Sequence, residues 1–201
     1  MNNYDWIKYV DTYLNINEII NEYFNKMRKS FNHDEIEEKS YYLSIELMRM
    51  IPFKGDKQLI INDKSGICLL KNNIDFLIND LDKILQENSE TLAKIKRIRN
   101  KYEHEPHNIK AAYSTSSGAY AGIGFYYKNE LIPIDTKDMT YIIWDLNILM
   151  NKIQKFVYTV EKEHEEEFDI FVKNYIKDIK IRKNIEYNNL YTRIPKWPND
   201  K

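Results

Sequence analysis

Residues 97–107 read RIRNKYEHEPH, a stretch that gathers two arginines, an asparagine and two of the chain's four histidines. Histidine titrates near neutrality and can take or give a proton. Arginine offers a phosphate a planar fork of donors and stays charged. Asparagine can orient either side chain or bind an oxyanion itself. These types together suit proton transfer and charge stabilisation at a phosphate. The plainer alternative is a solvated helix end, where a histidine makes a favourable contact with the last carbonyls.

Placing Ser89–His104 on a helical wheel separates the two readings residue by residue. Leu92, Ile95, Ile98 and Tyr102 form one apolar arc that should face a core. Lys94, Arg97 and Lys101 fall on the opposite side. Arg99 projects between Leu92 and Ile95, inside the arc. A buried arginine needs a partner, and two are open to it. One is a structural ion pair with a neighbouring helix, or a head group snorkelling from the edge. The other is a phosphate in a cleft. Asn100 and His104, four residues apart, share a face, and Arg97, three residues before Asn100, lies close to it, whereas His104 points about 140° away from Arg99. The run Lys94–Lys101 (KIKRIRNK) holds five basic residues in eight. Lys94, Lys96, Arg97 and Lys101 are therefore candidate RNA-binding residues, and His107 reads as a surface residue.

The six residues Arg99-Asn100-Lys101-Tyr102-Glu103-His104 resemble the Arg-x4–6-His motif of the HEPN superfamily, in which a polar residue, often asparagine, follows the arginine. The resemblance implies an up-and-down helical bundle with the motif near the end of a core helix. It implies a metal-independent endoribonuclease acting as a toxin or abortive-infection effector, with Arg99, Asn100 and His104 catalytic and no cofactor or metal. It implies RNA as the partner, a homodimer whose two motifs line one cleft, and a protein activator or antitoxin. One departure stands out. HEPN toxins paired with nucleotidyltransferase antitoxins carry a tyrosine two residues after the histidine, where this chain has Pro106, so control by adenylylation is not implied. Arg28 and His33, in RKSFNH, repeat the spacing with Lys29 in place of the asparagine. The competing class is a non-catalytic helical RNA-binding or protein-interaction module in which Arg99 is an ion-pair residue.

The elements that position these residues follow from periodicity. Residues 4–30 carry Ile19, Ile20, Tyr23, Phe24 and Met27 at helical spacing, and a second helix is expected from about Asp34 to Ile51. Pro52 and Gly55 end it. Residues 56–68, with QLII and GICLL, suit short strands or a loop. Helical spacing resumes near Asn73 and runs to Leu85, and Ser89 is a candidate N-cap for the helix ending at His104. Pro106 biases Glu105 away from helical geometry and stops that helix. Residues 112–135 hold three of the five glycines and a tyrosine-rich alternation. They suggest a β-hairpin or ordered loop inserted between helices, whose tyrosines, 113 to 127, could stack on bases or pack on the bundle. From Thr136 a long helix is expected through Val160, then, after a break, through Ile179. An extended tail is expected from about Arg182.

Composition sets the outer limits. The 201 residues fit one domain over 1–201. Scarce glycine and proline, with 43% hydrophobic and 30% charged residues, favour an all-α or mostly α class. Thirty basic against thirty-one acidic residues argue against a chain coated in nucleic acid along its whole surface, but not against a local basic patch. One cysteine, Cys68, excludes an intrachain disulfide. The first residues lack the pattern of a signal peptide, and no apolar run suits a membrane span, so a cytoplasmic protein with no membrane partner is expected. GAYAGIG lacks the Lys-Ser/Thr of a phosphate loop, and EKEHEEEFD lacks the spacing of a zinc helix.

Overall fold

A computed structural model describes residues 4–30, 32–55, 57–62, 66–116 and 119–193, with the side chains of 33, 66, 111–123 and 181–193 outside the description. The fold is mostly helical. Helix α1 spans Ile7–Lys29 and α2 spans His33–Met50. The side chain of Asn32 caps α2 by accepting from the Asp34 amide at 2.9 Å, with Asp34 and Glu35 in the first turn facing the positive end of the helix dipole. Ile16, Ile20, Phe24 and Met27 of α1 and Ile36, Leu43, Leu47 and Met50 of α2 are buried, and the two helices pack on each other. Strands β1 (Phe53–Lys54) and β2 (Gln58–Leu59) pair antiparallel. Gly55, at φ +63°, sits in the connection between them, a left-handed geometry that a side chain would strain.

The GICLL run is helical, not strand or loop: α3 spans Gly66–Lys71. Ile67 and Leu70, one turn apart, are both buried, and the Leu70 carbonyl accepts from the amides of Asn73 and Ile74. Burial of that one face outweighs the strand preference of the run. Helix α4 (Leu77–Glu87) and α5 (Ser89–His104) are separated by Asn88 alone. Ser89 is thus the first residue of α5 rather than its cap. Asn88 takes the cap position and spends its side chain on α4, donating to the Ile84 carbonyl at 2.9 Å.

A short 3-10 turn, Pro106–Asn108, leads from α5 into a three-stranded antiparallel sheet, β3 (Ile109–Ser116), β4 (Ala119–Tyr127) and β5 (Glu130–Ile134), in the order β3-β4-β5. The expected hairpin is therefore a meander of three strands, with residues 117–118 outside the description. Lys128 and Asn129, both at positive φ, form a two-residue turn whose twist suits the strands it joins. Pro133 is tolerated because β5 is an edge strand. Ile132 and Ile134 are buried while Leu131 and Pro133 face out, as the pleat requires.

Helix α6 (Thr136–Glu163) and α7 (Glu165–Arg193) complete the chain. The described residues divide into two compact units, residues 6–156, and residues 4–5 with 157–193. In the larger unit α2 and α4 pack on α5, and Thr91 donates to Asp138 at 3.2 Å, tying α5 to the start of α6. Asn17 and Asn21 of α1 meet Asn147 of α6 through amide hydrogen bonds of 2.7–3.1 Å. In the smaller unit Tyr4 packs on Phe168 and Phe171 and donates to Glu167 at 3.0 Å. The extended tail from about residue 182 is corrected, because α7 stays helical to Arg193. No proline interrupts that stretch before Pro195; residues 194–201 lie outside the description. Among the described residues no helix is long and apolar enough to cross a membrane.

Candidate active site

Helix α5 is held on one side by its apolar arc. Leu92, Ile95 and Ile98 are buried, and Tyr102 packs its ring on Tyr41 of α2 and edge-on against Phe125 of β4. Burial raises the pKa of the Tyr102 hydroxyl, with the charge of Glu37 adding to it. Anchored in this way, α5 exposes its other side as the wall of an open cleft of about 470 Å3. Gly55, Ala93, Lys96, Arg97, Asn100, Lys101, His104 and Glu105 line it. Asn100 and His104 thus open on one space, as their spacing requires. The imidazole of His104 is exposed and has no hydrogen-bond or ion-pair partner among the described residues.

Arg99 does not share that space. Its Nη2 lies 2.8 Å from Glu103 Oε1, one turn on along the same helix, and its side chain is 35% exposed. Its Nε is buried without a partner. The stem therefore runs along the apolar arc while the head emerges at the edge, which is the snorkelling arrangement. One link to the cleft remains: Arg99 Nη1 donates to Asn100 Oδ1 at 3.2 Å. That contact occupies the carbonyl end of the Asn100 amide.

Each of the four candidate RNA-binding cations of the run has a partner. Lys94 pairs with Glu90 at 2.7 Å and lies off the cleft. Lys96 donates to the Phe53 carbonyl and sits over the Phe53 ring, fastening the β1–β2 turn to α5. Arg97 makes a two-pronged ion pair with Glu130 at the start of β5, Nη1 lying 2.8 Å from Oε1 and Nη2 bonding Oε2. This contact raises the arginine's pKa and lowers that of Glu130. Lys101 lies 4.0 Å from the centre of the Tyr127 ring and 3.8 Å from Glu105. These pairs are all at least partly exposed, where water and salt weaken them and a phosphate can displace them.

Glu105 is the knot at the mouth of the cleft. It accepts from the Tyr127 hydroxyl at 2.6 Å and from the Asn108 amide at 3.1 Å, and pairs with Lys128 at 2.9 Å. The Tyr127 hydrogen bond and then the Lys128 contact hold its pKa down at about 2. The same carboxylate raises that of Lys128. Glu130 and Lys128 were not singled out from the sequence, Gly55 and Glu105 were read only as helix-ending positions, and Tyr127 only as one of the tyrosines that could stack on bases or pack on the bundle. Pro106 marks where α5 stops, but which strand end returns to it depends on sheet pairing that no local pattern encodes. Among the described residues no group of three His, Cys, Asp or Glu is placed to hold a metal. His107 sits exposed on the 3-10 turn, outside the cleft lining. The side chains of His33, in the second Arg–His spacing, and of Tyr113 and Tyr120 lie outside the described residues. No protein-family model, no curated protein and no solved structure matches the chain.

Proposed function

We propose that this chain is a metal-independent endoribonuclease of the HEPN type. The observation that carries the reading is that Asn100 and His104, one turn apart on α5, open on a single cleft edged by Lys96, Arg97 and Lys101. His104 takes the proton of a 2′-hydroxyl as the 2′-oxygen bonds to phosphorus. The bond from phosphorus to the 5′-oxygen breaks, and a general acid returns a proton to that leaving oxygen. The products are a 2′,3′-cyclic phosphate and a 5′-hydroxyl. One protomer supplies one such histidine, so the His104 of a second copy serves as the acid and the working form is a homodimer. A toxin or abortive-infection role in the cytoplasm, under an activator or antitoxin, rests on the motif resemblance.

A second reading is favoured by the ion pair of Arg99 with Glu103 and by the partners of Lys94, Lys96, Arg97 and Lys101. In it the chain is a non-catalytic RNA-binding or protein-interaction module. Incubation with total transfer RNA, with and without chelator, separates the two. Chelator-insensitive cleavage leaving cyclic phosphate ends, abolished in His104→Ala, is expected of the enzyme. Intact RNA in every lane, under conditions where a dimer is present, sinks it.

A further inference from the structure

The resemblance gives the guanidinium role to Arg99, yet the arginine that lines the cleft with His104 is Arg97. The two lie seven residues apart on α5, which stacks them on one face about 20° from each other, two turns along the helix. Six residues separate them, so this pair also satisfies the Arg-x4–6-His spacing. Arg99 stands about 140° from His104, so the two point to different sides of a straight helix.

The ion pair of Arg97 shows what it is shaped to hold. Its two terminal nitrogens grip the two oxygens of the Glu130 carboxylate, the fork-to-fork geometry that a guanidinium also uses on two phosphate oxygens. Both side chains are about half exposed, at 45% and 55%, so the carboxylate can be exchanged for another oxyanion at little cost. Arg99, by contrast, has its stem against the core and its head split between Glu103 and Asn100.

We propose that Arg97 is the guanidinium that meets the scissile phosphate beside His104, with Glu130 holding it in the free protein and yielding it to RNA. Arg99 is then a positioning residue. Its hydrogen bond to Asn100 Oδ1 leaves the Asn100 amide N–H groups to face the cleft. This inference rests on the endoribonuclease reading for its catalytic half and on the cleft geometry for its binding half.

The test follows both halves with Arg97→Ala, Arg99→Ala and Glu130→Gln. Cleavage is measured on total transfer RNA, and binding on a single-stranded 2′-O-methyl oligonucleotide of mixed sequence, which cannot be cut. Folding of each variant is checked by its thermal midpoint. Arg97→Ala should slow cleavage by about 10² or more. It should also weaken oligonucleotide binding and reduce the slope of log affinity against log salt by about 1, which loss of a merely structural residue does not do. Glu130→Gln should tighten binding by about threefold, as the loss of a weak competing pair predicts. Arg99→Ala should slow cleavage by about tenfold and leave the salt slope alone. If Arg99→Ala abolishes cleavage and changes the salt slope while Arg97→Ala does neither, the assignment is wrong. If the wild type does not cleave but its binding depends on Arg97 and Glu130 as stated, the catalytic reading falls and the phosphate assignment stands. Binding indifferent to Arg97, or no binding at all, overturns the assignment as well.

Discussion

The two sides of α5 obey different rules although they share one backbone. On the packed side Leu92, Ile95 and Ile98 are at most 2% exposed, and each contributes through the water it excludes. On the cleft side Lys96, Arg97, Asn100, Lys101 and His104 all keep contact with water; Arg97 and Lys101 are held by ion pairs that salt and competing anions weaken, and His104 by no partner among the described residues. The first side fixes where the helix is, and the second can change partners without moving it. Arg99 sits on the seam, and the seam explains its split behaviour: a buried Nε, an exposed ion pair and one hydrogen bond toward the cleft.

This contrast is broken most directly by substitutions that should affect one side only. His104→Ala removes a proton-transfer group and should lower cleavage by about 10²–10⁴-fold. Its thermal midpoint should stay at that of the wild type, since the exposed imidazole has no partner to lose among the described residues. A marked drop in that midpoint would make His104 a structural residue and blur the two sides into one. Ile98→Ala is the converse. Removing a side chain that is 1% exposed should cost about 2–5 kcal/mol in urea unfolding, through lost transfer energy and the cavity left behind. Cleavage per folded molecule should change little. Near-wild-type stability for Ile98→Ala would mean that the packed side tolerates repacking and does not fix the helix.

Much of α5 could be read in advance because its determinants are local. Its residue range came from apolar spacing and from Pro106, and the shared face of Asn100 and His104 followed from their separation. Arg99 was harder. Its wheel position correctly placed it at the apolar arc, but position on a wheel does not say where a four-bond stem ends, and a carboxylate one turn away on the same helix captured the head. Arg97 was read as a solvated RNA-binding residue close to the face of Asn100 and His104, and that side of the helix proved to be the cleft wall, because the β1–β2 turn and the start of β5 close in on it. Those closures depend on contacts between residues far apart in sequence, such as the ion pair of Arg97 with Glu130. GICLL misled for a related reason, since β-branched and aliphatic residues suit a strand until the burial of one helical face decides otherwise. The tail was read as extended because its prolines were given too long a reach back along the chain.

The smallest expected effect sharpens the comparison through pH. The packed arc carries no charge to titrate, whereas the mouth of the cleft is tied by Glu105 to Tyr127, Lys128 and Asn108. That carboxyl has a pKa of about 2 in the folded chain against an ordinary value of 4.5. A group depressed in this way stabilises the fold fully above its unfolded pKa. The contribution disappears as pH falls from about 4.5 toward 2. Other carboxylates, Glu90 and Glu130 among them, are also lowered by their partners, so acid will weaken the wild type through several groups at once. Comparison with Glu105→Gln isolates one of them. In urea unfolding the wild type should exceed the variant at about pH 6, and the gap should narrow at about pH 3. Ile98→Ala should show a gap that is the same at both. A Glu105 gap that does not narrow would mean that the knot is held by shape and neutral hydrogen bonds rather than by charge, and the cleft mouth would then belong with the packed side of the helix.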